Sequence, residues 1–227
     1  PGASTVGSPA HLPWLTTVGA SIQDRTYQGS AESPAGWEFF GASITGGTAE
    51  LPLVDAADAG GELCFPGGLN PLVVAGKIVL CKRGVIARAD KSEAVMLAGG
   101  AGMILYNQND GQEQVTDTHF VPSVHISNTD GLVIQDYIAN TANPVAKING
   151  GEFTKIDAPW MAAFSSRGPN AFTGDLIKPD VTAPGVNILA GDTPDHRGEL
   201  FQMISGTSMS SPHVAGLFAL LKQAHPD

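Results

Sequence analysis

A chain of 227 residues, 42% apolar and only 15% charged, buries a real core and holds one large domain or two ordinary ones, so disorder is not the default reading. Its 28 glycines and 16 prolines suit many short strands and argue against a coiled coil or solenoid. Twelve basic against 22 acidic residues leave a net charge of −10, which repels polyanions and makes nucleic acid a poor partner.

Three zones differ in texture along the chain: residues 1–24, 25–151 and 152–227. The first begins with Pro1 and shows neither a basic nor an apolar leader region, which reads as an excised or mature segment. Its one strand-like run is 14–19. The middle zone has the pattern of a self-contained unit, with runs at 37–44, 72–81, 102–106, 121–126 and 145–148 that are rich in Val, Ile, Phe and Leu. Bounded by Gly, Pro, Asn and Asp, these read as strands. The most apolar of them, 72–80, falls short of the roughly 18 residues a spanning helix needs and is broken by Lys77, so no membrane partner is expected. Residues 88–98 interleave Ala89, Ala94, Met96 and Leu97 with charges before Gly99-Gly100, which predicts a helix and its stop. A second helix is predicted over 130–139, capped by Asn128 or Thr129.

Cys64 and Cys81 also lie in this zone. In an oxidising compartment such a pair is more often a disulfide than a metal site, with cytosolic free thiols as the alternative. His119 and His125 have no Cys or second cluster at metal-ligand spacing, so they read as core or loop histidines, and neither a metal nor a cofactor is expected. The last zone holds a strand-like run at 161–164 and an apolar helical run at 214–221.

The strongest chemical signal opens that helix: Gly206-Thr207-Ser208-Met209-Ser210-Ser211-Pro212-His213-Val214-Ala215-Gly216. A turn of small residues presents a serine at a helix start, where free N–H groups and the helix dipole stabilise an oxyanion. Pro212 is tolerable in the first turn, whose N–H groups have no partner within the helix. An isolated serine there is far more often a simple cap. His213 is not the matching base, because five helical steps turn it about 140° away from Ser208.

The eleven-residue string resembles the serine signature of the subtilisin-like proteases, with Ser208 as nucleophile. Residues 163–170 and 178–186, Ala-Phe-Ser-Ser-Arg-Gly-Pro-Asn and Lys-Pro-Asp-Val-Thr-Ala-Pro-Gly-Val, are similar to the segments that precede that serine in the family. The strings at 4–9 and 14–21 resemble the stretch after the family's oxyanion asparagine, which implies that the asparagine lies before Pro1. The resemblance also implies substrate-binding roles for Gly7 and Thr207, an ordinary turn glycine being an equal alternative at position 7. In the family the base and its orienting aspartate precede the serine, in the order Asp, His, Ser. Neither a His-Gly-Thr-His nor an Asp-Ser/Thr-Gly segment occurs here.

Residues 76–84 and 91–107 resemble the protease-associated domain of large subtilases, which implies a β-sandwich or barrel with two helices. The expected fold is therefore mixed: a β-rich inserted domain at 25–151 within a partial α/β subtilisin-like domain at 1–24 and 152–227. The resemblance implies a secreted serine endopeptidase acting on polypeptides, of which these residues alone are inactive. The insert would serve substrate access, selection or self-association. Truncating a mainly parallel sheet should leave apolar surface open, so a homo-oligomer or a complementary upstream fragment is an expected partner. The alternative is a non-catalytic module in which the insert binds peptide or protein.

Overall fold

The computed structural model describes residues 2–194 and 200–226, which fall into two compact units. Unit boundaries lie at Arg25 and Thr154, with the flanking segments together forming the other unit.

In the Arg25–Thr154 unit, seven strands close a barrel. They are β2 (Arg25–Glu32), β3 (Glu38–Ala42), β4 (Leu51–Asp55), β5 (Ile78–Lys82), β6 (Gly102–Tyr106), β7 (Ser123–Ile126) and β8 (Val145–Lys155), in the order β2-β3-β7-β6-β5-β4-β8. The run β4-β5-β6-β7 is parallel, so each step needs a crossover. A 3-10 turn at Ala56–Ala59 with the single turn α1 (Pro71–Val74) makes the first crossover, and α2 (Arg88–Leu97) makes the second. Every residue of β6 and β7 is buried, as expected of parallel strands covered on both faces. Alternation then divides the core in two. Val79, Cys81, Met103 and Leu105 join Val95 of α2 in one cluster, while Ile78, Leu80, Ile104 and Tyr106 join Ile134 in the other. Ile134 belongs to the helix α3 (Asn128–Asn140).

Several elements depart from the sequence expectation for local reasons. The run 72–81 is not one strand. Asn70 caps α1 by accepting from the Leu72 N–H, Pro71 fits the first helical position, and Gly76 turns the chain at φ 73° before β5 begins. Helix α3 starts at Asn128 and is capped by Ser127, whose hydroxyl accepts from the Asp130 N–H. Asn128 and Thr129, the expected caps, instead bond the Asn107 carbonyl and Asp110. Strand β7 begins only after Pro122, which has no N–H to give the ladder. The sulfurs of Cys64 and Cys81 form a disulfide that ties the loop after the 3-10 turn to β5.

In the other unit, β1 (Val18–Ser21) pairs in parallel with β9 (Val181–Pro184), and β10 (Ile188–Gly191) pairs antiparallel with β11 (Phe201–Ile204). The expected strand at 14–19 is thus confined to its end, and of 161–164 only Met161 bridges, to Ser21. The closing helix, α4 (Thr207–Ala224), runs 18 residues, and of its side chains only Ser210 and Val214 are buried. Leu217, Phe218, Leu220 and Leu221 are exposed. Among the described residues no helix is long and apolar enough to cross a membrane.

Candidate functional site

Ser208 stands exposed in the first turn of α4. The turn that delivers it is held from below. Gly206 donates its N–H to the Gly185 carbonyl at 2.8 Å, and its own carbonyl accepts the Met209 N–H at 3.0 Å. Gly185 is anchored in turn, its N–H reaching the carbonyl of Ser21, the last residue of β1, at 2.9 Å. The β1–β9 pair therefore fixes where the helix starts. Ser210 points inward and is fully buried, so the two serines on either side of Met209 face opposite environments.

Two cavities flank Ser208. One, of about 380 Å³, is walled by residues 9–10, 15–18, Thr207, Ser208 and Ser211. The other, of about 350 Å³, is walled by Ile188, Leu189, Ala190, Met209, Pro212 and His213 as well as Ser208, and its surface is mainly apolar. A smaller space of about 100 Å³ joins Gly7 and Thr207 to Ala10, Thr17 and Val18. A Cβ on Gly7 would meet nothing within 4 Å, so the missing side chain leaves open room there. The first helical turn adds peptide N–H groups without helical partners beside the Ser208 hydroxyl. This arrangement can hold an extended chain across Ser208 and stabilise negative charge on a carbonyl oxygen next to it.

Among the described residues His213 is the one titratable group lining either of the larger cavities. Its Nδ1 donates to the Met209 carbonyl at 2.7 Å, one turn back, which occupies that nitrogen.

Sequence reasoning singled out Ser208, Thr207 and Gly7, but not the walls formed by Ala10, Leu15, Ile188 and Leu189. Those residues are ordinary apolar side chains. Only the turn that brings 9–18 against α4 gives them a role, and no local pattern announces that.

The histidines of the barrel unit have structural employment. His125 is sealed in the core, its Nε2 2.8 Å from Asn107 Oδ1 and its Nδ1 3.1 Å from both the N–H and the carbonyl of Val115. Burial, then the nearby Arg83 charge, push it down to about pKa 3. His119 Nδ1 lies 3.0 Å from the Ser92 hydroxyl. Arg83 donates to Asn107 and to the Glu113 carbonyl, and Arg88 makes a two-pronged pair with Asp117, so residues 107–117 are held against the barrel by cations. Lys91, buried, donates to the Leu63 carbonyl beside the disulfide, and burial pushes its ammonium down to about pKa 8. Among the described residues no group of three His, Cys, Asp or Glu could hold a metal ion.

The model of the Subtilase family matches residues 1–227. Subtilisin-like protease SBT1.4 of Arabidopsis thaliana is 49% identical over 95% of this chain and 30% of its own length. Subtilisin-like protease SBT1.7 of the same plant is 43% identical over all of this chain and 32% of its own. This chain thus spans about a third of the length of the curated relatives it matches. Among solved structures, the psychrophilic subtilisin-like protease Apa1 from the Antarctic psychrotroph Pseudoalteromonas sp. AS-11 shares 16% identity at a TM-score of 0.38, over 89% of this chain and 40% of that one. The zinc aminopeptidase BSAP from Bacillus subtilis shares 19% at 0.40, over 59% and 33%.

Proposed function

The chain belongs to the subtilase family, and on that premise we propose that it is part of a secreted serine endopeptidase in which Ser208 is the nucleophile. The observation that supports this best is the placement of Ser208: exposed, in the first turn of α4, between two cavities. The Ser208 oxygen attacks the carbonyl carbon of a peptide bond and gives its proton to a base outside residues 1–227. The tetrahedral oxyanion accepts the backbone N–H of Ser208 itself. Collapse expels the amine, which takes the proton, and leaves an ester on Ser208 that water then hydrolyses. Gly7 and Thr207, which share one small space, contact the substrate chain.

Residues 1–227 alone are inactive in this reading, since a serine hydroxyl is a poor nucleophile at neutral pH without a neighbouring base. The barrel unit is the protease-associated domain, acting in access to the site or in selecting what reaches it. The Cys64–Cys81 disulfide supports export to an oxidising compartment. The exposed apolar residues of α4 support its covering by a complementary upstream segment.

The test is fluorophosphonate labelling of the full-length protein. Stoichiometric labelling that Ser208→Ala abolishes, with none on isolated residues 1–227, is expected. A wild-type protein that never labels, or a Ser208→Ala variant that still does, overturns the assignment. The second reading, a binding module, draws on the barrel having a closed sheet and two core clusters of its own. Saturable peptide binding by a full-length protein devoid of hydrolase activity would favour it.

A further inference from the structure

Behind the larger cavity stands an ion pair that peptide-bond hydrolysis does not itself use. The Lys178 side chain is 1% exposed, and its ammonium donates to the Leu15 carbonyl and to Asp180 Oδ2, both at 2.7 Å. The same Asp180 oxygen accepts the Thr17 N–H at 2.7 Å, while the Asp180 N–H returns to the Thr17 carbonyl at 2.9 Å. Thr17 passes the constraint on, its hydroxyl donating to the Ala10 carbonyl. Leu15, Thr17 and Ala10 are three walls of the cavity beside Ser208. A single pair of opposite charges therefore sets the backbone position of all three.

Burying a lysine is costly unless its charge is met, and among the described residues the hydrogen bonds that meet it come from the cavity wall and from Asp180. The Lys178 hydrogen bond, followed by that from Thr17, holds the Asp180 carboxyl below its ordinary range, so the carboxylate stays charged opposite the ammonium at neutral pH. Yet among the described residues no Asp, Glu, Lys or Arg lines the cavity itself. Lys178, buried, and Asp180, whose side chain is 35% exposed, each bond the backbone of the wall and pair with each other, so their charges cancel.

We propose that Lys178 and Asp180 are positioning residues of the substrate cavity: they fix the Leu15–Thr17 wall, and by neutralising each other they make the cavity select an uncharged substrate side chain. The proposal rests on the peptidase reading of Ser208 given above. Removing either partner leaves one net charge behind the wall, and the two removals leave opposite signs. A unit charge at this remove, in a partly screened site, alters the preference for a charged side chain on the order of tenfold.

The experiment uses the full-length protein and a set of peptides in which each position near the cleaved bond is in turn neutral, Lys or Glu. Wild type is expected to favour the neutral residue at one position. Lys178→Met should shift that position toward Lys on the order of tenfold, mainly through KM. Asp180→Asn should shift it toward Glu, and the double variant should return to the neutral preference. Loss of packing alone would lower every rate alike and could not produce shifts of opposite sign. Should Lys178→Met fail to fold, the Asp180→Asn shift still decides. Variants whose neutral, Lys and Glu ratios match those of a cleaving wild type overturn the proposal and leave the peptidase reading intact, whereas a wild type that neither cleaves nor labels overturns both.

Discussion

Gly185 and Ser210 approach so closely that a Cβ on Gly185 would lie 2.2 Å from Ser210 Oγ. The same atom would be 2.8 Å from Ala20 Cβ and from the Gly206 carbonyl, and the hydrogen bonds of Gly185 to Ser21 and Gly206 leave its backbone little room to retreat. Gly185→Ala should therefore destabilise this unit by about 1–3 kcal/mol, the usual cost of overpacking, and tilt the turn that presents Ser208. Urea unfolding checks the first effect. In the full-length protein, the fluorophosphonate labelling rate should fall by more than the unfolded fraction explains, and an unchanged rate would show that the turn is not coupled to this contact.

Gly131 sits inside α3, where alanine is preferred over glycine by about 1 kcal/mol. A Cβ there would nevertheless stand 2.3 Å from Cγ of the buried Tyr106 ring and 2.4 Å from its Cβ. Steric overlap should win over propensity, so Gly131→Ala lowers the urea midpoint of the barrel unit. A raised midpoint would mean that the ring yields at little cost.

Cys64 and Cys81 enclose a loop with a sequence separation of 17. On the chain-entropy estimate their crosslink stabilises the barrel unit by about 3 kcal/mol. The Cys64→Ser, Cys81→Ser double variant should lose about that much in urea unfolding, while the wild type under reducing conditions converges on it. Equal stability of the oxidised and reduced protein would show that the disulfide does not help to hold the barrel.

The legible parts of the fold were those where one local rule acts unopposed. Strand β6 is five buried residues between turns, and α2 shows helical spacing up to a glycine stop, so both emerged from pattern alone. Strand β2 did not, because Arg-Thr-Tyr-Gln-Gly-Ser-Ala-Glu carries no apolar alternation and owes its strand to pairing with β3. Short β4, with Pro52 inside, was hidden for a similar reason. At the candidate site, the serine turn was visible because small residues leading into an apolar helix make an unusual string. Lys178 and Asp180 stand in the sequence only as two members of a longer motif. Their meaning depends on Leu15 and Thr17, more than 160 positions away, and such partners become visible only once the chain has folded.

Acid sensitivity of the barrel should trace to His125. With its pKa pushed down to about 3 by burial, the folded state refuses a proton that the unfolded chain, with an ordinary histidine near 6.5, accepts. The sign follows: the stability that depends on neutral His125 is fully present above about pH 6.5 and is lost as pH falls toward 3, by up to about 1.4 kcal/mol per pH unit. Carboxylates with lowered pKa values, such as Glu32 and Asp110, begin to lose their contribution only as pH nears the unfolded carboxylate range, below about 5.5, so the interval from about 6.5 to 5.5 isolates the histidine from them. His125→Gln gives up the ring contacts to Asn107 and Val115 and should start less stable at pH 7, yet its urea midpoint should change much less than the wild type's between about pH 6.5 and 5.5. Parallel curves for the two proteins across that interval would assign the acid loss to another group.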